Sequence, residues 1–396
     1  MRTALYNLGF VAAVAAQQPQ ARGTPGCGKT HDDHDGTFSR SIKSGGMQRN
    51  YSIHLPPKYS PEDSHPVILG FHGSSSIGAF FEADTRFSDA ADKTMNSVIM
   101  VYPDGLGGAW AGASYSEASV PQDLQFVSDI LGDLRDEYCV DNDRIFATGM
   151  SIGGGFVNTI ACNDTVGGEF AGFAPVAGAY YTDNDENYEK CQPNKGAYLL
   201  ELHGLKDESV PYEGGKASGG EVPDVHDWVE RWVDRLDCDR KTSFEENAFQ
   251  DKDYGWRIWY CEGEGRMVHV PMKGRNHSWP ADWPNFSQPI SNDKEAPFDS
   301  AELILNWFLE PKWQDRYWAP WRNDTERPSS PSDTASAPAL AETSAAETET
   351  KTGSGDSAES TTSSADEPEP SIAGAMRADL GLLLCLVVVV QVILTL

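Results

Sequence analysis

The run Arg144-Ile145-Phe146-Ala147-Thr148 and the residues that follow it, Gly149-Met150-Ser151-Ile152-Gly153, read as an apolar strand that turns sharply into a helix with a serine at the bend. Glycines on both sides suit a turn so tight that a side chain would meet the strand or the helix it joins. A Gly-x-Ser-x-Gly pattern is common enough by chance that its surroundings decide its meaning. Here apolar runs at 67–71, 98–102, 144–148, 170–176, 198–202 and 267–270 alternate with helix-length amphipathic segments. That alternation predicts an α/β domain with a mostly parallel sheet and helices on both faces. Leu124, Val127, Ile130, Leu131 and Leu134 recur at helical spacing, so 122–138 is expected to be a helix leading into the serine strand, and 301–309 a closing helix. No second core and no internal repeat is evident.

A serine at such a bend is a nucleophile only with a base and an acid to serve it, each on a loop leaving the carboxyl end of a strand. After the run at 197–202 comes the polar loop His203-Gly204-Leu205-Lys206-Asp207, which makes Asp207 the candidate acid. Three histidines lie beyond it. His226 falls in a helical-looking stretch and His269 inside a strand, whereas His277 sits in the glycine-led loop Gly274-Arg275-Asn276-His277-Ser278-Trp279-Pro280. His277 is therefore the expected base, taking the proton of Ser151 during attack on an ester carbonyl, with Asp207 orienting the imidazole. The oxyanion would be held by the backbone N–H of Ile152 and by a second from the loop His72-Gly73-Ser74-Ser75-Ser76, with Ser74 the first choice and Ser75 the next.

These residues, with Gly26-Cys27-Gly28-Lys29, Arg49-Asn50-Tyr51-Ser52-Ile53-His54-Leu55-Pro56, Val101-Tyr102-Pro103-Asp104-Gly105, Val210-Pro211-Tyr212 and Trp279-Pro280, resemble carbohydrate esterase family 1 over about residues 27 to 310. That family contains fungal feruloyl esterases and acetylxylan esterases, with polyhydroxybutyrate depolymerases as relatives. The resemblance implies an α/β-hydrolase fold, no cofactor, and a serine esterase removing hydroxycinnamoyl groups from plant cell-wall polysaccharide. Acetylxylan deacetylation and polyester depolymerisation are its alternatives, and an inactive wall-anchored adhesion glycoprotein is the reading from another class. It also implies disulfides Cys238–Cys261, Cys162–Cys191 and Cys27–Cys139, a pairing that six cysteines outside the tail do not fix by spacing. The loop 74–76 lacks the cysteine or tryptophan found there in some members.

Flat apolar walls for an aryl group or a sugar ring would come from loop aromatics, namely Phe80, Phe81, Trp110, Tyr115, Tyr180, Tyr181, Tyr212, Trp279 and Trp283. Most aromatics of this kind pack a core; Trp110 and Trp279 are the chosen substrate-binding candidates. No cysteine pair has metal-ligand spacing, and His31-Asp32-Asp33-His34-Asp35 reads as a solvated loop, so no metal is expected. The net charge of −29 argues against nucleic acid or anionic lipid as a partner. A monomer is expected.

The ends of the chain carry their own signals. Residues 1–17 have the pattern of a secretory signal, and 27–318 are assigned to the catalytic domain. Residues 323–370 are rich in Ser, Thr, Glu, Ala and Pro and read as a solvated stalk that cannot bury a core. The apolar tail within 371–396, which holds Cys385 and no following basic residue, reads as a glycolipid-anchor signal, with attachment near 363–365 or 371–375. Glycosylation is expected at Asn50, Asn163, Asn285 and Asn323, and not at Asn276, where a glycan would crowd the base.

Overall fold

The computed structural model describes residues 23–309 except 32–34, 95, 194–195, 242, 247–248, 250 and 262–265. The chain divides into two units, Met1–Glu326 and Arg327–Leu396, and every described residue lies in the first. The leader, stalk, tail, Cys385, Asn323 and most of the His31 to Asp35 cluster lie outside the described residues.

The elements run β1 (Gly36–Ser44), β2 (Met47–Leu55), β3 (His65–Phe71), α1 (Gly78–Thr85), α2 (Phe87–Asp92), β4 (Ile99–Pro103), α3 (Val120–Glu137), β5 (Val140–Met150), α4 (Ile152–Ala161), β6 (Gly172–Val176) and β7 (Tyr198–Gly204). A small hairpin, β8 (Gly215–Ala217) and β9 (Gly220–Val222), leads to α5 (Val225–Arg235). The chain continues through β10 (Ser243–Glu246), β11 (Gly255–Tyr260), β12 (Arg266–Met272), α6 (Ser287–Ile290) and α7 (Ser300–Leu309). Ten strands form one sheet in the order β1-β2-β4-β3-β5-β6-β7-β12-β11-β10. The six from β4 to β12 are parallel, and antiparallel strands extend both edges. The fold is an α/β-hydrolase sheet, stapled by Cys27–Cys139, Cys162–Cys191 and Cys238–Cys261.

Apolar alternation explains the layers. Val67, Leu69 and Phe71 of β3 enter one core with Phe126, Ile130 and Leu134 of α3 and Trp228 and Trp232 of α5. Ile68 points the other way, into a second core with Phe87 of α2 and Ile304 and Trp307 of α7. A sheet buried on both faces needs such near-continuous apolar strands. The first hairpin closes through Gly45-Gly46, whose φ values of 56° and 88° supply the two left-handed residues of a tight turn. Helix α3 begins with a capping box between Ser119 and Gln122, and Asp224 caps α5 by accepting from the N–H groups of His226 and Asp227.

One buried ion pair ties the sheet edge to α3. Arg49 of β2 donates to Asp123 Oδ1 at 3.0 Å and to the Asp104 carbonyl at 3.2 Å, with its guanidinium 4.0 Å over the Phe126 ring. Asp123 Oδ2 accepts from the N–H of Ala111 at 2.8 Å, so the pair also pins the segment after β4. Burial pushes the Asp123 carboxyl up, against the pull of Arg49. Arg49→Leu should thus strand a buried carboxylate and cost about 3 to 5 kcal/mol in urea unfolding; a loss under about 1 kcal/mol would contradict this role.

Candidate active site

Strand β5 lies in the middle of the parallel region and delivers Ser151 at its carboxyl end, directly before α4. Ser151 has φ 59° and ψ −126°, a backbone state that costs a non-glycine residue about 1 to 3 kcal/mol and persists where the surroundings enforce it. The Ser151 N–H donates to the Val176 carbonyl at 3.0 Å, and its own carbonyl accepts from Gly155 and Ala179, each at 2.9 Å. The flanking glycines are sterically required. A Cβ at Gly149 would sit 2.8 Å from the Phe71 carbonyl oxygen, and one at Gly153 would overlap that oxygen outright. The N–H groups in the first turn of α4, Ile152 among them, have no intrahelical partner and lie at the positive end of the helix dipole.

Asp207 and His277 leave the carboxyl ends of β7 and β12, which are direct neighbours. His277 Nδ1 is 2.7 Å from Asp207 Oδ2, while Asp207 Oδ1 accepts from the N–H groups of Ser209 at 2.9 Å and Val210 at 2.7 Å. Asp207 is buried, which alone would raise its pKa. The hydrogen bond and charge of His277, the charge of His203 and the Val210 N–H outweigh burial and hold the carboxyl below the ordinary aspartate range. An ionised Asp207 accepts only, so His277 donates to it from Nδ1.

The two loops are laced together. Lys206 N–H donates to the Arg275 carbonyl at 2.9 Å, and the Asn276 side chain accepts from Glu208 N–H and His277 N–H, each at 2.8 Å. Beneath them, buried Arg275 donates to Ser278 Oγ at 2.8 Å, and Ser278 Oγ donates to Asp293 at 2.6 Å.

The loop after β3 approaches the serine from the other side, where a Cβ built on Gly73 would lie 3.5 Å from Ser151 Cβ. His72 is wholly buried; burial pushes its pKa down. The neutral ring accepts the Gly105 N–H at Nε2 (2.9 Å) and donates from Nδ1 to the Gly73 carbonyl (2.7 Å). Ser74 Oγ is 2.6 Å from the hydroxyl of exposed Tyr115.

Several sequence-based assignments need correction. Trp110 and Trp279 are fully buried and cannot face a substrate. Trp110 stacks on Phe156 at 5.0 Å and donates from its indole N–H to the His72 carbonyl at 3.1 Å, so it braces the loop next to Ser151. Trp279 packs edge-on against Phe81 in the second core. Asn285 is also buried, its amide donating to the Trp279 carbonyl at 2.9 Å and its oxygen accepting from Gln288 N–H, which leaves no access for a glycan. By contrast Asn50 is exposed and Asn163 partly so. The exposed apolar residues on the segments that follow the carboxyl ends of β3, β4 and β12 include Ile77, Phe80, Tyr115, Phe286 and Ile290; Ile77, Phe286 and Ile290 carry no sequence signal because their segments lack periodicity. Cys162, Asp183 and Cys191 lie close together, yet the cysteines are joined as a disulfide and Asp183 receives both guanidinium nitrogens of Arg235, which removes them as metal ligands.

No family model matches the chain. Feruloyl esterase D of Neurospora crassa is 30% identical over 317 residues, which cover 76% of this chain and 94% of that protein. The chain belongs to this feruloyl esterase family, a family of carboxylic ester hydrolases. Feruloyl esterase C of Emericella nidulans is 28% identical over 202 residues, 48% of this chain, and the match spans 65% of that protein's length. A bifunctional acetylxylan esterase/xylanase of Neocallimastix patriciarum is 24% identical over 238 residues, 59% of this chain and 31% of that protein. Asp207→Asn should lower turnover on an ester on the order of 10⁴-fold, by disturbing the tautomer of His277 while leaving the fold intact. A loss under tenfold in stopped or continuous ester assays would assign the acid role to another carboxylate.

Proposed function

We propose that the protein is a secreted serine esterase that removes feruloyl or related hydroxycinnamoyl groups from plant cell-wall polysaccharide. The observation that carries the reaction class is the short His277 to Asp207 hydrogen bond, on loops that leave the same carboxyl end of the parallel sheet as Ser151, a serine held at positive φ in the turn between β5 and α4. Ser151 Oγ attacks the ester carbonyl while His277 Nε2 accepts its proton, and the same proton then goes to the departing sugar alcohol. Water repeats the sequence on the acyl-enzyme and releases the acid. The N–H groups of Ile152 and Ser74 receive the oxyanion, and ionised Asp207 stabilises the imidazolium.

Membership of the feruloyl esterase family supports the aryl acyl class. The apolar wall that such a group needs is assigned to exposed loop aromatics, foremost Tyr115, whose hydroxyl reaches Ser74 beside the serine loop. The three disulfides fit an oxidising, extracellular compartment. Anchoring through residues 371–396 goes with this reading, and release of membrane-bound enzyme by phosphatidylinositol-specific phospholipase C would test it.

Purified protein should cleave methyl ferulate with a higher kcat/KM than 4-nitrophenyl acetate or acetylxylan. Tyr115→Ala should lower kcat/KM on methyl ferulate about three- to tenfold more than on the acetyl ester, since only the aryl group loses a stacked ring. A preference for acetylxylan, or equal losses on both esters, would favour the deacetylase reading instead.

A further inference from the structure

Behind Asp207 the fold buries a second set of ionisable groups that the ester-cleaving steps do not use. Glu201 and His203 are alternate residues of β7, on the same sheet face, and His269 of β12 stands directly across from Glu201. All three side chains are completely buried. Glu201 Oε1 lies 2.9 Å from His203 Nδ1 and accepts from the Tyr180 hydroxyl at 3.2 Å, and Glu201 Oε2 lies 2.5 Å from His269 Nδ1. His269 Nε2 is 2.9 Å from the Tyr212 hydroxyl. The other nitrogen of His203, Nε2, faces the Val210 carbonyl at 3.0 Å and Asp207 Oδ2 at 3.5 Å.

Those partners fix the state of the ring. A carbonyl oxygen can only accept, and an ionised carboxylate can only accept, so both nitrogens of His203 must donate. Such a ring is an imidazolium held between Glu201 and Asp207. Burial opposes that charge, but the bond and charge of Glu201, the charge of Asp207 and the Val210 carbonyl outweigh it and push the His203 pKa up. Glu201 answers in kind: burial would raise its carboxyl, yet the charge of His269 and the bonds from His203 and His269 bring it down to about 2. More distant charges around the cluster are Arg257, Asp183, Glu213 and Asp224, which act on Tyr180 and Tyr212.

We infer that His203 is a positioning residue for ester cleavage, a buried cation at the back of Asp207 that fixes the carboxylate toward His277 and keeps His277 competent as a base in mildly acidic surroundings. The inference rests on the esterase reading of Ser151, Asp207 and His277. Its physical basis is simple. Asp207 alone would favour the protonated form of His277, and a protonated His277 cannot take the serine proton. A second positive charge against the same carboxylate opposes that protonation. Asp207 Oδ2 is shared by His277 at 2.7 Å and His203 at 3.5 Å, so both rings feel one carboxylate oxygen.

The test is the pH profile of kcat/KM on methyl ferulate for wild type, His203→Gln and Glu201→Gln. In His203→Gln the acid limb should move upward by about half a pH unit or more, with the plateau above it lowered much less than the rate at acidic pH. Glu201→Gln removes the counter-ion that keeps His203 charged, so it should shift the limb in the same direction, and the double variant should shift it no further. A uniform loss of kcat with an unmoved limb would reduce His203 to a packing role and overturn the proposal. Should either variant fail to fold, ¹⁵N spectra of the wild-type imidazoles decide: both ring nitrogens of His203 should remain protonated at a pH where an ordinary exposed histidine has become neutral, and a neutral ring there overturns the proposal. Wild-type protein inactive on every ester would sink the esterase reading by itself, while the ring-nitrogen signals still report whether His203 carries the charge.

Discussion

The left-handed backbone at Ser151 is enforced from four directions, by β5 before it, α4 after it, the Val176 carbonyl receiving its N–H, and Ala179 donating to its carbonyl. Relaxing that turn would need space that Gly149 and Gly153 have already yielded to the Phe71 carbonyl. The same close approach brings the loop after β3 against the serine, and so the strained turn and the candidate oxyanion site are consequences of one packing arrangement. The cost of the turn, about 1 to 3 kcal/mol, is small against two cores that bury aromatic and aliphatic side chains on both faces of the sheet.

From that turn outward, the site is assembled by neighbouring strands. Parallel pairing of β7 with β12 puts Asp207 and His277 on adjacent loops, and the Asn276 side chain with the Arg275 carbonyl, which accepts from Lys206 N–H, fixes those loops to each other. On the opposite side, Arg49 and Asp123 hold the segment after β4, Gly105 of that segment donates to His72, and Trp110 donates to the His72 carbonyl. A buried salt bridge at the sheet edge is thereby connected, through two hydrogen bonds to the segment after β4 and two from that segment to His72, to the loop facing Ser151.

Much of this was legible in the sequence because it is locally encoded. The six apolar runs became the six parallel strands, and the leucine and isoleucine spacing marked α3. Polar loops after β7 and β12 singled out Asp207 and His277 over His226 and His269. The edges were not read. β1 has the alternating exposure of a strand with one wet face, and only Gly45-Gly46 announces its hairpin. Trp110, Trp279 and Asn285 failed for a shared reason: they lie in loops, and a loop residue's burial depends on tertiary folding that local sequence does not carry. Sequence likewise shows Glu201 and His203 at strand spacing, but not that His269 faces Glu201 across the next strand or that Asp207 curls back onto His203.

The account turns on Ser151 being the activated nucleophile, and covalent trapping measures that directly. Native protein treated with an alkyl fluorophosphonate, digested and mapped by mass spectrometry should carry a single adduct on Ser151, absent when the protein is unfolded before labelling. An adduct on another residue, or no adduct on the folded protein, would contradict it.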